Sequence, residues 1–388
     1  MAAIRKLALA AVLALCLEKA ASASTDMEFV VNSMYQSGKG GKQVYDGSGD
    51  QSLTLYEPVL YINSQIDHDT SVFGSAVFDV LSSASAKAFD SGTGASRGGT
   101  GGGEDGEGGG EGLLQGWQTR VGAEAGYSKR KGSWVFTPTA GGSHELSYNS
   151  LHGGLNVQKF LAEENFVLSA GLFHYSDEAN PWDIQKGKFA GFQSKTTNSA
   201  NASATQILDE RSIALAGISF TRQNGFLEGT RNTVSTGTVT QRASEQLPDA
   251  REKWTANVRY VRSLSGKLAF HLDYRYYTDT WNIRAHTWEP SLAWSFSDEA
   301  GTIKLGYRRY SQTAARYYAG SFPVMKTYMT SDSDLAKFSA DEVSAQLAYA
   351  PEGEPGRTAW EYGGTLLYYK RSDGLSVAVA QASLTAKF

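Results

Sequence analysis

Residues 267–318 read KLAFHLDYRYYTDTWNIRAHTWEPSLAWSFSDEAGTIKLGYRRYSQTAARYY and decide the fold class. Apolar side chains alternate with polar ones from Leu268 to Tyr276, and the same period of two returns from Ile303 to Arg308. That period is typical of β-strands, in which successive side chains point to opposite faces. The alternating runs end in paired tyrosines, as strands do where they cross a membrane interface. The stretch therefore predicts membrane-spanning β-hairpins.

The apolar positions change parity within this stretch. Ile283 and Ala285 are odd-numbered, Leu292 and Trp294 are even-numbered, and Pro290 lies between the two pairs. A proline beside a change of parity indicates a β-bulge, which adds one residue and turns the later side chains to the other face. We therefore predict a bulge at this proline.

The first residues predict a cleavable secretory signal. Two basic residues precede an apolar run over residues 7–17, and small residues follow up to Ala23. The run is about half the ~20 residues that a membrane-spanning helix needs. We assign residues 1–23 to a signal peptide and residues 24–388 to a single outer-membrane β-barrel.

Composition excludes several classes of function. The one cysteine, Cys16, lies in the predicted signal, so the mature chain has no thiol for a disulfide, a thiolate metal site or a nucleophile. The net charge of -4 argues against nucleic acid as a partner. A chain this long without a linker suits a closed barrel, which grows by adding strands rather than by thickening a core.

Alternating segments recur along the chain and predict an all-β barrel of about 16 strands, with about 14 as the alternative. Polar stretches between them predict long surface loops, of which residues 85–114 form a Gly/Glu-rich tract of low complexity. Residues 177–209 also read as a surface loop, because they contain Asn-Pro and a Ser/Thr/Asn/Ala tract. Residues 227–238 are assigned to a strand.

The last strand carries a separate signal. Small apolar residues alternate with polar ones from Ala378 to Lys387, and the aromatic Phe388 follows. Together with Leu384, this pattern resembles the terminal strand by which outer-membrane barrels are recognised for insertion. We therefore predict the bacterial outer membrane as the location, with its lipid and the barrel-insertion machinery as partners.

Parity assigns a set of mostly charged side chains to the polar lumen. The lumen-facing candidates are Asp79, Arg120, Glu124, Arg259, His271, Asp273, Arg275, Arg284, His286, Lys304, Arg308, Glu342 and Glu361. Such a mixture would build charge ladders and a transverse field across an aqueous pore. The alternative is that these residues only satisfy one another and fill the interior.

His271, Asp273, Arg275 and His286 form the constellation that most resembles a catalytic or metal site. A histidine beside an aspartate is the orienting half of a hydrolase site, but no Gly-x-Ser-x-Gly motif supplies a nucleophile. Two histidines at this separation leave the third metal ligand unnamed. We therefore predict no enzymatic activity, no metal site and no cofactor.

Five segments of the chain carry a family resemblance: DYRYYTDTWNIRAHT (273–287), YRRYSQTAARYY (307–318), FDVLSSASAK (78–87), SHELSYNSLHGGLNVQKF (143–160) and LPDAREKW (247–254). They resemble segments of the DUF3570 family of bacterial outer-membrane proteins. The resemblance implies a barrel with no established activity and a link to envelope redox or flavoprotein systems. Two functions follow as hypotheses: a porin-like pore for small solutes, or a non-conducting anchor or export component for envelope redox proteins.

Overall fold

The computed structural model describes residues 24–38, 53–82, 117–183, 186, 188–230, 232–236, 242–297, 300–351 and 357–388. The predicted signal peptide (1–23) and the predicted Gly/Glu-rich loop (85–114) lie outside the described residues. Both therefore stay predictions.

The described residues form a closed antiparallel barrel of 16 strands, which confirms the predicted fold class. In order around the barrel the strands are β1 (Ser24–Ser37), β2 (Leu53–Asp67), β3 (Thr70–Ser82), β4 (Trp117–Lys131), β5 (Trp134–Glu145), β6 (Tyr148–Leu161), β7 (Phe166–Ala179), β10 (Gln193–Asp209), β11 (Ser212–Gly225), β14 (Ala250–Ser265), β15 (Leu268–Asp279), β16 (Arg284–Phe296), β17 (Gly301–Gln312), β18 (Phe338–Tyr349), β19 (Ala359–Arg371) and β20 (Ser376–Lys387). β20 pairs with β1 and closes the ring. Two short hairpins lie outside it, β8 (Trp182–Asp183) with β9 (Lys188–Phe189) and β12 (Thr233–Ser235) with β13 (Arg242–Ser244).

The two ends of the barrel differ in their connections. Ser24 and Phe388 lie at one end, here called the terminal end, where most hairpins turn within a few residues. The opposite end, here called the loop end, carries the long connections. The outer face exposes large apolar side chains such as Leu151 (69 %), Leu172 (65 %) and Ile218 (65 %). Each strand pairs on both sides, so closure satisfies its backbone groups. No helix among the described residues is long and apolar enough to span a membrane.

The predicted strand count is right although two of its segments are wrong. Gln193–Asp209, predicted within the surface loop 177–209, forms β10 and pairs along its length with β7 and β11. Among the described residues of the predicted strand 227–238, only Thr233–Ser235 forms a strand, and it lies outside the barrel. β10 resembles a loop in sequence because its inner face is polar and its outer face carries small side chains.

The predicted bulge beside Pro290 is also wrong. β16 keeps a single register with β15 from Arg284 to Trp294, and its register with β17 is unchanged on both sides of the proline. Ile283 and Ala285 are only 3 % and 2 % exposed because they lie under the loops inside the mouth. The change of parity in the sequence therefore marks a second apolar environment at the loop end.

Candidate functional site

Charged side chains on the inner face of the barrel form cross-strand ion pairs. The pairs are Arg120 with Asp79, Arg259 with Asp273 (2.5 Å), Arg308 with Glu342 (3.4 Å) and Lys387 with Glu361 (2.5 Å). His152 Nε2 lies 3.0 Å from Glu124 Oε2 on the same face. The register places His271, Arg275 and Lys304 on the same inner face. Arg275 and Lys304 form no ion pair with any residue that the structure describes.

Arg284 and His286 lie on the outer face, which corrects their prediction as lumen residues. His286 shares a face with Trp288, which is 49 % exposed, and its Nδ1 lies 2.8 Å from the hydroxyl of Tyr274. The error follows from the bulge that does not exist. The predicted histidine constellation is therefore divided between the two faces, and no described group of three or more His, Cys, Asp or Glu residues is arranged to hold a metal ion.

The balance of acidic and basic side chains differs between two facing walls of the inner face. The acidic wall, on β1–β7, carries Glu28, Glu57, Asp79, Glu124, Glu145 and Asp177 around Arg120. The basic wall, on β14–β19, carries Arg251, Lys253, Arg259, Arg275, Lys304, Arg308 and Arg371, with fewer acids: Asp273, Asp279, Glu289, Glu342 and Glu361. β4 and β16, at the centres of the two walls, lie half-way round the ring from each other. The arrangement sets a transverse field across the lumen.

Two long connections at the loop end pack together into a unit that we call the loop plug: the described residues of 226–249 (226–230, 232–236 and 242–249) and residues 313–337. Gln246 and Met329 exchange backbone hydrogen bonds of 3.1 and 2.8 Å between the two loops. Val234 and Met329 are fully buried together. The loops are thus held by a small core of their own.

Asp279, at the end of β15, joins the loop plug to the barrel. It accepts hydrogen bonds from Arg251 Nη2 (2.5 Å), the Tyr277 hydroxyl (2.8 Å) and the backbone N–H groups of Trp281 (2.9 Å) and Ile283 (3.0 Å). Its side chain is 0 % exposed, and the Arg251 guanidinium lies 4.2 Å from the centre of the Trp281 ring. A buried carboxylate with this many donors fixes the turn between β15 and β16.

Arg316 brings the segment 307–318 onto the same turn. Its Nη2 donates to the Thr280 carbonyl and to Asn282 Oδ1, both at 2.9 Å, and its backbone N–H donates to the Trp281 carbonyl at 2.8 Å. The rings of Trp281 and Tyr317 meet edge to face, with centroids 6.0 Å apart. The tyrosine pair near residue 317, predicted as an interface girdle, instead packs against the core of the loop plug.

Arg371 fastens the other side of the loop plug. A short 3-10 helix, Ser333–Leu335, lies beside it, and Arg371 bonds Asp334 (2.5 Å), Asp373 (2.6 Å) and the Ser333 carbonyl (2.9 Å). The guanidinium also lies 3.9 Å from the centre of the Phe338 ring and is only 4 % exposed. Sequence reasoning missed Asp279, Arg316 and this arginine, although the break in alternation at residues 279–283 was a usable signal.

A cavity of about 440 Å³ lies beneath the loop plug. Its lining runs from Tyr148 on β6 to Arg308 on β17, so it spans the lumen between the two walls. Five bases face it from the strands: Lys195, Arg251, Lys253, Arg275 and Arg308. The cavity is therefore roofed by the loops and lined mainly by the basic wall.

The burial of Glu228 predicts that the stability of the loop plug depends on pH. Burial raises its pKa above the ordinary value of 4.5, the nearby Asp249 adds to the rise, and backbone N–H groups oppose it. A raised pKa stabilises the packed loops fully below 4.5, and that contribution is lost as the pH rises through the raised pKa. We expect the loop plug to open more often at about pH 8 than at pH 4.5, measured as bilayer conductance. Glu228→Gln should flatten this dependence; an unchanged pH profile would exclude Glu228 as its source.

The sequence matches the family described as "Protein of unknown function (DUF3570)" over residues 7–382. The chain belongs to the DUF3570 family. The match confirms the resemblance seen in the segments around the β15–β16 turn, and it shows that the segments building the base of the loop plug lie within the DUF3570 region. No curated protein matches the sequence.

The DUF3570 chain is also similar to solved structures at low sequence identity. A bacterial polysaccharide outer membrane secretin has a TM-score of 0.49 and 10% identity, covering 94% of this chain and 98% of that chain. OccK2 (OpdF) of Pseudomonas aeruginosa has a TM-score of 0.45 and 7% identity, covering 95% and 98%. CdiB from Acinetobacter baumannii has a TM-score of 0.47 and 8% identity, covering 93% and 60%.

Proposed function

We propose that this chain is a bacterial outer-membrane pore for small solutes, whose polar lumen conducts and whose loop plug narrows the mouth. The observation that carries the proposal is the difference in charge balance between facing walls of the lumen. Several of these charges pair with neighbours on their own wall, but acids outnumber bases on the acidic wall and bases outnumber acids on the basic wall. The remaining imbalance would orient and sort charged solutes as they pass.

The outer face supports placement in a membrane. Its large exposed side chains are apolar, and charges of the lumen lie on the opposite face of the same strands. Leu384 lies on the outer face (39 % exposed), and Phe388 is 63 % exposed at the terminal end. Both are accessible for the proposed recognition by the barrel-insertion machinery. The proposed partners are therefore outer-membrane lipid, that machinery and small solutes.

Conductance of the purified protein in a planar bilayer tests the proposal. Glu342 and Asp341 are adjacent, and each pairs with an arginine on β17, but Glu342 faces the lumen and Asp341 faces outward. We expect Glu342→Gln to shift the reversal potential in a salt gradient toward anion selectivity, because it removes a negative charge from the pore. Asp341→Asn is the matched control and should leave the reversal potential unchanged. Equal shifts in both variants would contradict the assigned faces.

The packed loop plug favours a second candidate, a non-conducting anchor or export component for envelope redox proteins. A mouth closed by a buried core suits a barrel that carries a partner rather than a flow of ions. The two candidates differ in the variant lacking residues 313–337. If the protein is a pore, the deletion variant should conduct more strongly than the full chain. If neither the full chain nor the folded deletion variant conducts, the result supports the anchor.

A further inference from the structure

The acids that line the cavity beneath the loop plug already accept hydrogen bonds from other groups of the protein. Glu228 accepts from the backbone N–H groups of Leu227 and Leu247, Glu245 from Gly229 and Thr330, Asp332 from Asn232 and from the backbone of Asp334, and Asp334 from Arg371. These acids therefore serve to fold the loops. Their oxygens are directed at the loop plug itself or at the rim of the barrel.

The bases on the barrel side of the cavity differ from these acids. Arg275 is exposed to the lumen and forms no ion pair with any described residue. Arg308 contacts Glu342 through Nη1 at 3.4 Å, while its buried Nε has no hydrogen-bond partner among the described residues. That nitrogen has almost no accessible surface, so a ligand in the cavity would meet the terminal nitrogens of the guanidinium. The cavity is thus lined by two guanidinium groups, of which Arg308 has a carboxylate partner and Arg275 has none among the described residues.

The two arginines are spaced for a ligand with two charged ends. Across the sheet, Arg275 of β15 pairs with Thr287 of β16, which pairs with Tyr310 of β17, and Arg308 is two residues before that tyrosine. Neighbouring strands lie about 4.8 Å apart and each residue advances about 3.3 Å along a strand, so the Cα atoms of the two arginines are about 12 Å apart. Tyr277 and Tyr310 also line the cavity, so an apolar linker between two carboxylates would contact their side chains.

We infer that this cavity binds a small organic dicarboxylate, with Arg275 and Arg308 each contacting one carboxylate and the two tyrosines contacting the chain between. A guanidinium matches a carboxylate with two parallel hydrogen bonds, which favours carboxylates over other anions. The inference rests on the proposed function, because it names the class of solute that the pore would select.

Isothermal titration of the full-length protein in detergent, at low ionic strength, tests the site with adipate, butyrate and putrescine as probes. We expect adipate to bind at least about tenfold more tightly than butyrate, because only adipate engages both arginines, and putrescine not to bind. Arg308→Gln should weaken adipate binding at least about tenfold. Arg309→Gln, which changes the adjacent arginine on the outer face, is the matched control and should bind adipate normally.

Thr287→Glu is a second variant that tests the same site if Arg308→Gln does not fold. It places a carboxylate opposite Arg275 and should abolish adipate binding while the barrel keeps its mobility on an unboiled denaturing gel. Equal binding of adipate and butyrate, preferential binding of putrescine, or full binding by Thr287→Glu would overturn the inference. Conductance distinguishes this inference from the proposed function. Conductance without adipate binding would overturn the binding site but not the pore. Adipate binding without conductance would overturn the pore but not the binding site.

Discussion

Replacing Asp279 by alanine is expected to release the loop plug and to expose its two loops to protease at a rate at least about 100-fold higher than in the unaltered protein. The substitution leaves Arg251, whose side chain is only 14 % exposed, without its carboxylate and frees two backbone N–H groups of the turn. Removing one partner of a buried ion pair costs about 3 to 5 kcal/mol. The barrel itself keeps its strand pairing, so the loss should fall on the loops.

Limited proteolysis of the folded barrel measures this effect, with cleavage expected within residues 226–249 and 313–337. Asp273→Asn is the matched control, because Asp273 lies six residues before Asp279 on the same face of β15 and pairs with Arg259, whose side chain is 57 % exposed. Exposed pairs contribute little to stability, so the control should be cleaved at the original rate. Equal protection of Asp279→Ala and the unaltered protein would show that the loops are held by something other than this turn.

The architecture could be predicted from the sequence because barrel strands obey a local rule. Alternation with a period of two identifies a strand wherever one face meets lipid and the other meets water. β10 was predicted as a loop because its outer face carries small residues rather than large apolar ones. The segment 227–238 was predicted as a barrel strand, but part of it packs inside the loop plug. The two errors offset each other in the strand count.

The site was less accessible to prediction because it depends on contacts between distant segments. Parity alone assigned Asp273 and Arg275 to the inner face, yet it misassigned His286, since Ile283 and Ala285 resemble lipid-facing residues. Burial beneath two loops that meet each other is not encoded in any local period. The facing acidic and basic walls likewise appear only when the order of strands around the ring is known.

Placing arginine at Leu366 is expected to destabilise the barrel by about 2 to 4 kcal/mol, whereas arginine at Thr365 should change its stability little. Leu366 is 64 % exposed near the middle of β19 and lies between Ala345 and Ala380 on the outer face. A charge there would be held against lipid hydrocarbon. Its neighbour Thr365 faces the polar lumen, where water and polar side chains solvate a guanidinium.

The fraction of protein with folded mobility on a denaturing gel, followed as the sample is heated before loading, measures the difference. We expect Leu366→Arg to lose the folded band at a clearly lower temperature and Thr365→Arg to keep it, because the two variants carry the same new charge one residue apart. The two variants differ only in which face of β19 carries the new arginine. The reverse order would mean that β19 presents its other face to lipid, and the walls assigned to the lumen would have to be exchanged with the outer surface.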